Sequence, residues 1–215
     1  MKKKIVAAAA LTLAAIIFCI LVVTVDVSPI GPQGTEVGFS GINKAVFDGI
    51  GVNNFWYKLT QALGVLALAA GAAFALVGLY QLIKGKSLKA VDGRIWLLGG
   101  LYAVLAAVYV FFEKVILNYR PVIMPGADVP EASFPSSHTV LICVIAASAF
   151  IMLGYYIKNK KLAKLLRAAC AVVIAAAVIG RLLSGVHWFT DVFGGVLISA
   201  ALVAWFCAFL PLTDK

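Results

Sequence analysis

The chain contains two histidines, His138 in "SFPSSHT" and His187 in "RLLSGVHWFTD", and each stands beside groups suited to an anion. A third polar cluster, "EKVILNYRP", supplies Arg120, and the second histidine segment opens with Arg181. Arginine carries a planar guanidinium fork that grips phosphate oxygens two at a time. In "PSSH" the chain enters an apolar run, so the backbone N–H groups near Ser136, Ser137 and His138 become first-turn donors at the positive end of a helix dipole. Either serine also suits a plain N-cap. His187 and Asp191 are spaced i, i+4, which puts them on one face if a helix has begun there. A carboxylate in that position fixes the imidazole tautomer and raises its basicity; the competing reading makes Asp191 a helix cap.

Taken together, these groups suit phosphoryl transfer, where positioning and charge stabilisation carry most of the catalysis. His187 would attack phosphorus in line, His138 would protonate the departing alkoxide, and water would hydrolyse the phosphohistidine. No cluster of His, Asp or Glu has metal-ligand spacing, so the expected chemistry needs neither metal nor cofactor.

The elements that must position these groups are membrane helices. The 215 residues are 63% hydrophobic and 13% charged, and several apolar runs reach the length that crosses a bilayer core. The expected fold is an all-α integral membrane protein with six transmembrane helices: Ile5 to Val25, Leu59 to Ile83, Ile95 to Phe112, Thr139 to Ile157, Leu165 to Leu183 and Val192 to Leu210. The first begins MKKK, but its run is longer than a signal peptide's and no A-x-A-like site follows, so it reads as an uncleaved helix. Residues 1–94 supply two helices and an outer loop, and 95–215 a four-helix catalytic core, within a single domain.

Charge sets the expected orientation. With the N-terminus inside, 13 of the 18 basic residues, including Lys215, fall on the cytoplasmic side, as the positive-inside rule requires. The net charge of +9 therefore calls for no nucleic-acid partner. The three clusters share the outer face, and there Lys114, Arg120 and Arg181 run against the positive-inside bias; ionisable groups at membrane depth point to function. A bacterial inner membrane is the expected location, with both termini cytoplasmic. The outer stretch "GINKAVFDGIGVNNFWY" reads either as a short interfacial helix ending in an aromatic belt or as a turn-rich connection. Cys19, Cys143, Cys170 and Cys207 lie singly in separate spans and read as inert buried thiols.

The order "RP", "PSSH", "R-x5-H-x3-D" resembles the type 2 phosphatidic acid phosphatase family, related to vanadium haloperoxidases, over residues from about 95 to 210. Its motifs are K-x6-RP, PSGH and SR-x5-H-x3-D, and its membrane members have six helices with the site at the outer face. The resemblance implies that Arg120, Ser136, His138 and Arg181 bind phosphate, with His138 also the acid, His187 the nucleophile and Asp191 its orienter. It also implies a lipid phosphate or diphosphate as substrate, of the phosphatidic acid, phosphatidylglycerol phosphate or undecaprenyl diphosphate class, or phosphate transfer to another lipid. The chain departs from the motifs at three positions. Glu113 stands where the family has lysine, with Lys114 one residue later; Ser137 replaces the glycine of the second motif, keeping its backbone N–H as a phosphate donor; Gly180 replaces the serine of the third.

Two other classes fit less well. A rhomboid-like serine protease would want G-x-S-G, and Leu182 precedes Ser184 by two; Ser184 and Gly185 read instead as a tight turn or close packing between spans five and six. A transporter would carry polar groups near the middle of several spans, whereas here they gather at one end.

Overall fold

The computed structural model describes residues 1–213, so Lys215 of the inner-side charge count lies outside the described residues. Seven α-helices follow one another: α1 (Lys2–Thr24), α2 (Ser40–Ile50), α3 (Asn54–Gly85), α4 (Gly93–Lys114), α5 (Ser137–Tyr156), α6 (Lys160–Leu183) and α7 (Phe189–Phe209). All but α2 are long and apolar enough to cross a membrane. These are the six spans expected from the sequence, and α3 is the one that most exceeds its expected bounds.

Asparagine and aspartate set several starts. The Asn53 side chain accepts from the N–H groups of Phe55 and Trp56 at 3.0 and 3.3 Å, so α3 begins five residues before its hydrophobic run. Asp92 caps α4 through the Arg94 N–H at 2.8 Å, and Asn159 caps α6 through Lys161 and Leu162 at 3.0 and 3.1 Å. Each such cap stabilises its helix by about 1 kcal/mol.

Helix α5 is the centre of the bundle and carries its longest run of buried residues, among them Ile142, Val144, Ile145 and Met152. It packs against α3, α4, α6 and α7, while α1 lies along α7. Helices α1 and α3, from residues 1–94, thus pack directly against α5, α6 and α7. Lipid-facing surfaces remain apolar, for example Leu66, Leu76, Leu165 and Val172.

Helix α2 is the amphipathic segment of the connection between α1 and α3. Trp56 and Tyr57 do not end it, however, because they already belong to α3. Its Asn43 is wholly buried against the start of α7: Nδ2 donates to Thr190 Oγ1 at 2.9 Å and to the Gly38 carbonyl at 2.8 Å, and Oδ1 accepts the Thr190 N–H at 3.1 Å. One amide satisfies a first-turn donor of α7 that has no intrahelical partner.

The up-and-down order brings the starts of α3, α5 and α7 and the ends of α4 and α6 to one end of the bundle. Between α4 and α5 the chain folds back on itself, with Tyr119 bridged to Ala132, the Arg120 N–H on the Glu131 carbonyl at 2.9 Å and the Ser133 N–H on the Asn118 carbonyl at 2.9 Å. Between α6 and α7 the turn is tight. Gly185 has φ of +65°, and a Cβ there would overlap the Gly51 carbonyl, while the Asn53 N–H donates to the Ser184 carbonyl at 3.1 Å. The turn therefore needs glycine both for backbone conformation and for space.

Gly185→Ala should destabilise the protein by about 1–3 kcal/mol, read as a lower melting temperature in detergent. Gly49, where an added Cβ meets open space, is the control. An unchanged melting temperature in Gly185→Ala would remove the turn from this account.

Candidate active site

At that end of the bundle Asp191 occupies the first turn of α7, wholly buried. Its Oδ2 accepts the Trp188 N–H at 2.9 Å, its Oδ1 faces Asn118 Nδ2 at 3.4 Å, and its carbonyl accepts the Ser136 N–H at 3.0 Å. His187 Nδ1 lies 3.6 Å from the same Oδ2, close enough for charge and too long for a hydrogen bond. The expected i, i+4 helical face is not what joins the pair. His187 lies before α7, and the carboxylate curls back to cap the helix start, so both the capping and the orienting readings of Asp191 describe one geometry.

The far side of the imidazole meets Arg120. Arg120 Nη1 is 3.5 Å from His187 Nε2 and 3.4 Å from the Val186 carbonyl, and its Nε pairs with Glu131 Oε2 at 3.1 Å. Glu113, at the position of the family's lysine, lines the neighbouring cavity. Arg181 is 1% exposed, and among the described residues no carboxylate lies within ion-pair distance. Its Nη1 donates to Thr60 Oγ1 at 3.3 Å, and its Nε has no hydrogen-bond partner. A buried guanidinium without a counter-ion is costly, by several kcal/mol, and an anion bound beside it removes that cost.

These charges act on His187. Burial holds its imidazole well below the ordinary value near 6.5, and the positive charges of Arg181, Arg120 and His138 push it the same way, against an opposing contribution from the Ser133 carbonyl. The ring is therefore neutral at pH 7, the form that has a lone pair to give. With Asp191 beside Nδ1, the favoured tautomer carries its proton there and leaves Nε2 free.

His138 stands in the first turn of α5 and packs over α3, where a Cβ on Gly64 would come 3.1 Å from its ring. His138, Ser137, Arg120 and His187 line the head of a cavity of about 640 Å³. The cavity runs down between α3, α4 and α5 along apolar residues such as Leu68, Leu105 and Ile145. Ser136 is turned away: it is fully buried, its N–H is taken by Asp191, and its Oγ accepts from Thr139 Oγ1 at 3.0 Å. Lys114, at the last residue of α4, is exposed and does not line the cavity. Among the described residues no group of three His, Cys, Asp or Glu could hold a metal ion.

The sequence model of the family described as "PAP2 superfamily" matches residues 95–213. The chain belongs to the PAP2 superfamily. No curated protein matches it in sequence. A crystal structure described as the first transmembrane PAP2 type phosphatidylglycerolphosphate phosphatase, from Bacillus subtilis, shares its fold at a TM-score of 0.67 and 16% identity, over 97% of this chain and 98% of that one. The all-helical transmembrane PAP2 fold thus extends over the whole chain, including the helices that precede the family match.

Four supporting residues lay outside the sequence reading. Asn118 stands two residues before Arg120, and its polarity within "VILNYRP" was a usable signal. Glu131, Asn43 and Thr60 gave none, since each acts on a residue 11 to 147 positions away.

The unfolded chain binds a proton at His187 near pH 6.5 while the folded chain does not, so unfolding takes up a proton at this group and the contribution of His187 to stability falls as pH drops below about 6.5. Proton NMR of the two histidines, assigned with His138→Gln, should show His187 still neutral at pH 6 without oxyanion. Inorganic phosphate, by offsetting the arginine charges, should raise its midpoint. A midpoint near 6.5 that phosphate leaves unmoved would contradict this electrostatic account.

Proposed function

We propose that this PAP2 protein is a membrane lipid phosphatase, releasing phosphate from a lipid phosphate or diphosphate through a phosphohistidine on His187. The observation that carries the reading is a half-buried Arg120 against a neutral imidazole at the head of an apolar cavity between membrane helices, with a buried Arg181, which has no carboxylate partner among the described residues, acting on the same imidazole through its charge. The head suits a phosphate; the body suits the lipid chains attached to it.

The steps follow from the geometry. The substrate phosphoryl group docks against Arg120, Arg181 and the first-turn amides at Ser137 and His138. Nε2 of His187 forms a bond to phosphorus as the ester P–O bond breaks, and His138 gives the leaving alkoxide its proton. Asp191 then faces an imidazolium instead of a neutral ring, an interaction that strengthens as charge develops. In the second half His138, now a base, takes a proton from water as the oxygen bonds to phosphorus; the N–P bond breaks and inorganic phosphate leaves.

Membership of the family and the apolar cavity support a substrate of the phosphatidic acid, phosphatidylglycerol phosphate or undecaprenyl diphosphate class. The distribution of Lys and Arg supports an outward-facing site, with the basic connections after α3 and α5 at the opposite, cytoplasmic end. A bacterial plasma membrane accords with this arrangement.

The purified protein should release phosphate from at least one of these lipids without added metal, with chelator making no difference and vanadate inhibiting. His187→Ala should lose at least about 1,000-fold in turnover, and His138→Gln about 100-fold. Wild-type rates in His187→Ala would eliminate it as the nucleophile.

A further inference from the structure

The last turn of helix α6 carries Gly180 and Arg181, opposite the first turns of α3. A Cβ on Gly180 would come 2.8 Å from Thr60 Cγ2 and 3.2 Å from Trp56 Cε3. The space a side chain would need is already occupied by Thr60, which is itself wholly buried. The Thr60 hydroxyl has backbone acceptors in its own helix, the Trp56 and Tyr57 carbonyls at 3.0 and 2.9 Å. A hydroxyl has one hydrogen to give, so donating it there turns the oxygen lone pairs outward, toward Arg181 Nη1 at 3.3 Å. The Tyr57 ring lies 5.7 Å from the guanidinium carbon and closes a second side. Arg181 thus meets α3 through an acceptor of fixed direction.

We propose that Thr60 is the positioning residue for Arg181: its hydroxyl holds one edge of the guanidinium so that the remaining N–H groups face the oxyanion. Gly180 is the complementary half of the device, since only a residue without Cβ leaves room for Thr60. The hydroxyl missing at position 180 is in effect supplied from α3. A guanidinium fork binds a phosphate well only when its plane is held in register with the two oxygens. An arginine with several rotatable bonds and no carboxylate partner needs such a constraint. This proposal rests on the reading of Arg181 as a phosphate ligand.

The test is vanadate inhibition and steady-state kinetics of the full-length protein in detergent, for Thr60→Val, Thr60→Ser, Gly180→Ser, the double variant Gly180→Ser/Thr60→Ala, and Arg181→Lys. Thr60→Val keeps the shape and removes the hydroxyl, so KM and the vanadate inhibition constant should rise about tenfold, the loss of one hydrogen bond to a charged group. Thr60→Ser should return both to within about twofold of wild type, with melting temperatures alike in the two variants. Gly180→Ser alone should weaken vanadate binding by displacing Thr60, and adding Thr60→Ala should leave the loss near that of a single variant instead of multiplying the two. Wild-type vanadate affinity in Thr60→Val, or multiplicative losses in the double variant, would overturn the proposal. If Arg181→Lys also left vanadate affinity unchanged, the phosphate-ligand reading itself would fail; a weakened Arg181→Lys beside an unaffected Thr60→Val would overturn the positioning role alone.

Discussion

One buried carboxyl group joins the separate pieces of this site. Asp191 accepts the N–H of Trp188 at the head of α7, receives Asn118 from the connection after α4, and through its carbonyl holds Ser136 at the head of α5. His187 leans on the same oxygen that caps the helix. The three motif segments are therefore mechanically one object, and a carboxylate needed to end a helix neatly also stands where an imidazolium would form. Burying such a group is tolerable only because its oxygens meet these donors.

The second constraint is charge. Arg120 has Glu131 as a partner at the cavity edge, but Arg181 has none among the described residues. The guanidinium of Arg181 is therefore buried with its charge uncompensated at that end of the bundle, which favours an anion beside it. Burial, and after it the charges of Arg181 and Arg120, keeps His187 neutral, so in the proposed mechanism the arginines that would bind phosphate also help to hold the nucleophile ready. Pocket shape extends this logic: polar groups crowd the head, and the rest of the cavity is walled mainly by apolar side chains, with Tyr102 and Tyr109 among them.

The N-terminal helices participate in this arrangement although the family match begins at residue 95. Asn43 of α2 completes the first turn of α7, Gly64 of α3 leaves room for the His138 ring, and Thr60 of α3 meets Arg181. Residues 1–94 are the back wall of the site, which accounts for fold similarity over nearly the whole chain where sequence similarity is confined to its second half.

Much of this was legible in the sequence. Apolar runs of bilayer length define six helices, because in lipid the backbone must satisfy itself within each segment. The alternation of helix directions then forces "YRP", "PSSH" and "RLLSGVHWFTD" to one end, whatever the packing. Tertiary structure decided which side chains meet. It turned Ser137 and His138 into the cavity and Ser136 away from it, gave Arg120 to Glu131 and left Glu113 on the cavity wall, and left Lys114 exposed. It brought His187 to Asp191 through a helix cap and not along a helix face. Hydropathy fixes how deep a residue lies along its helix; only the rotation and packing of helices against one another fix what it faces, and those depend on contacts such as Thr60 with Gly180 that no local pattern encodes.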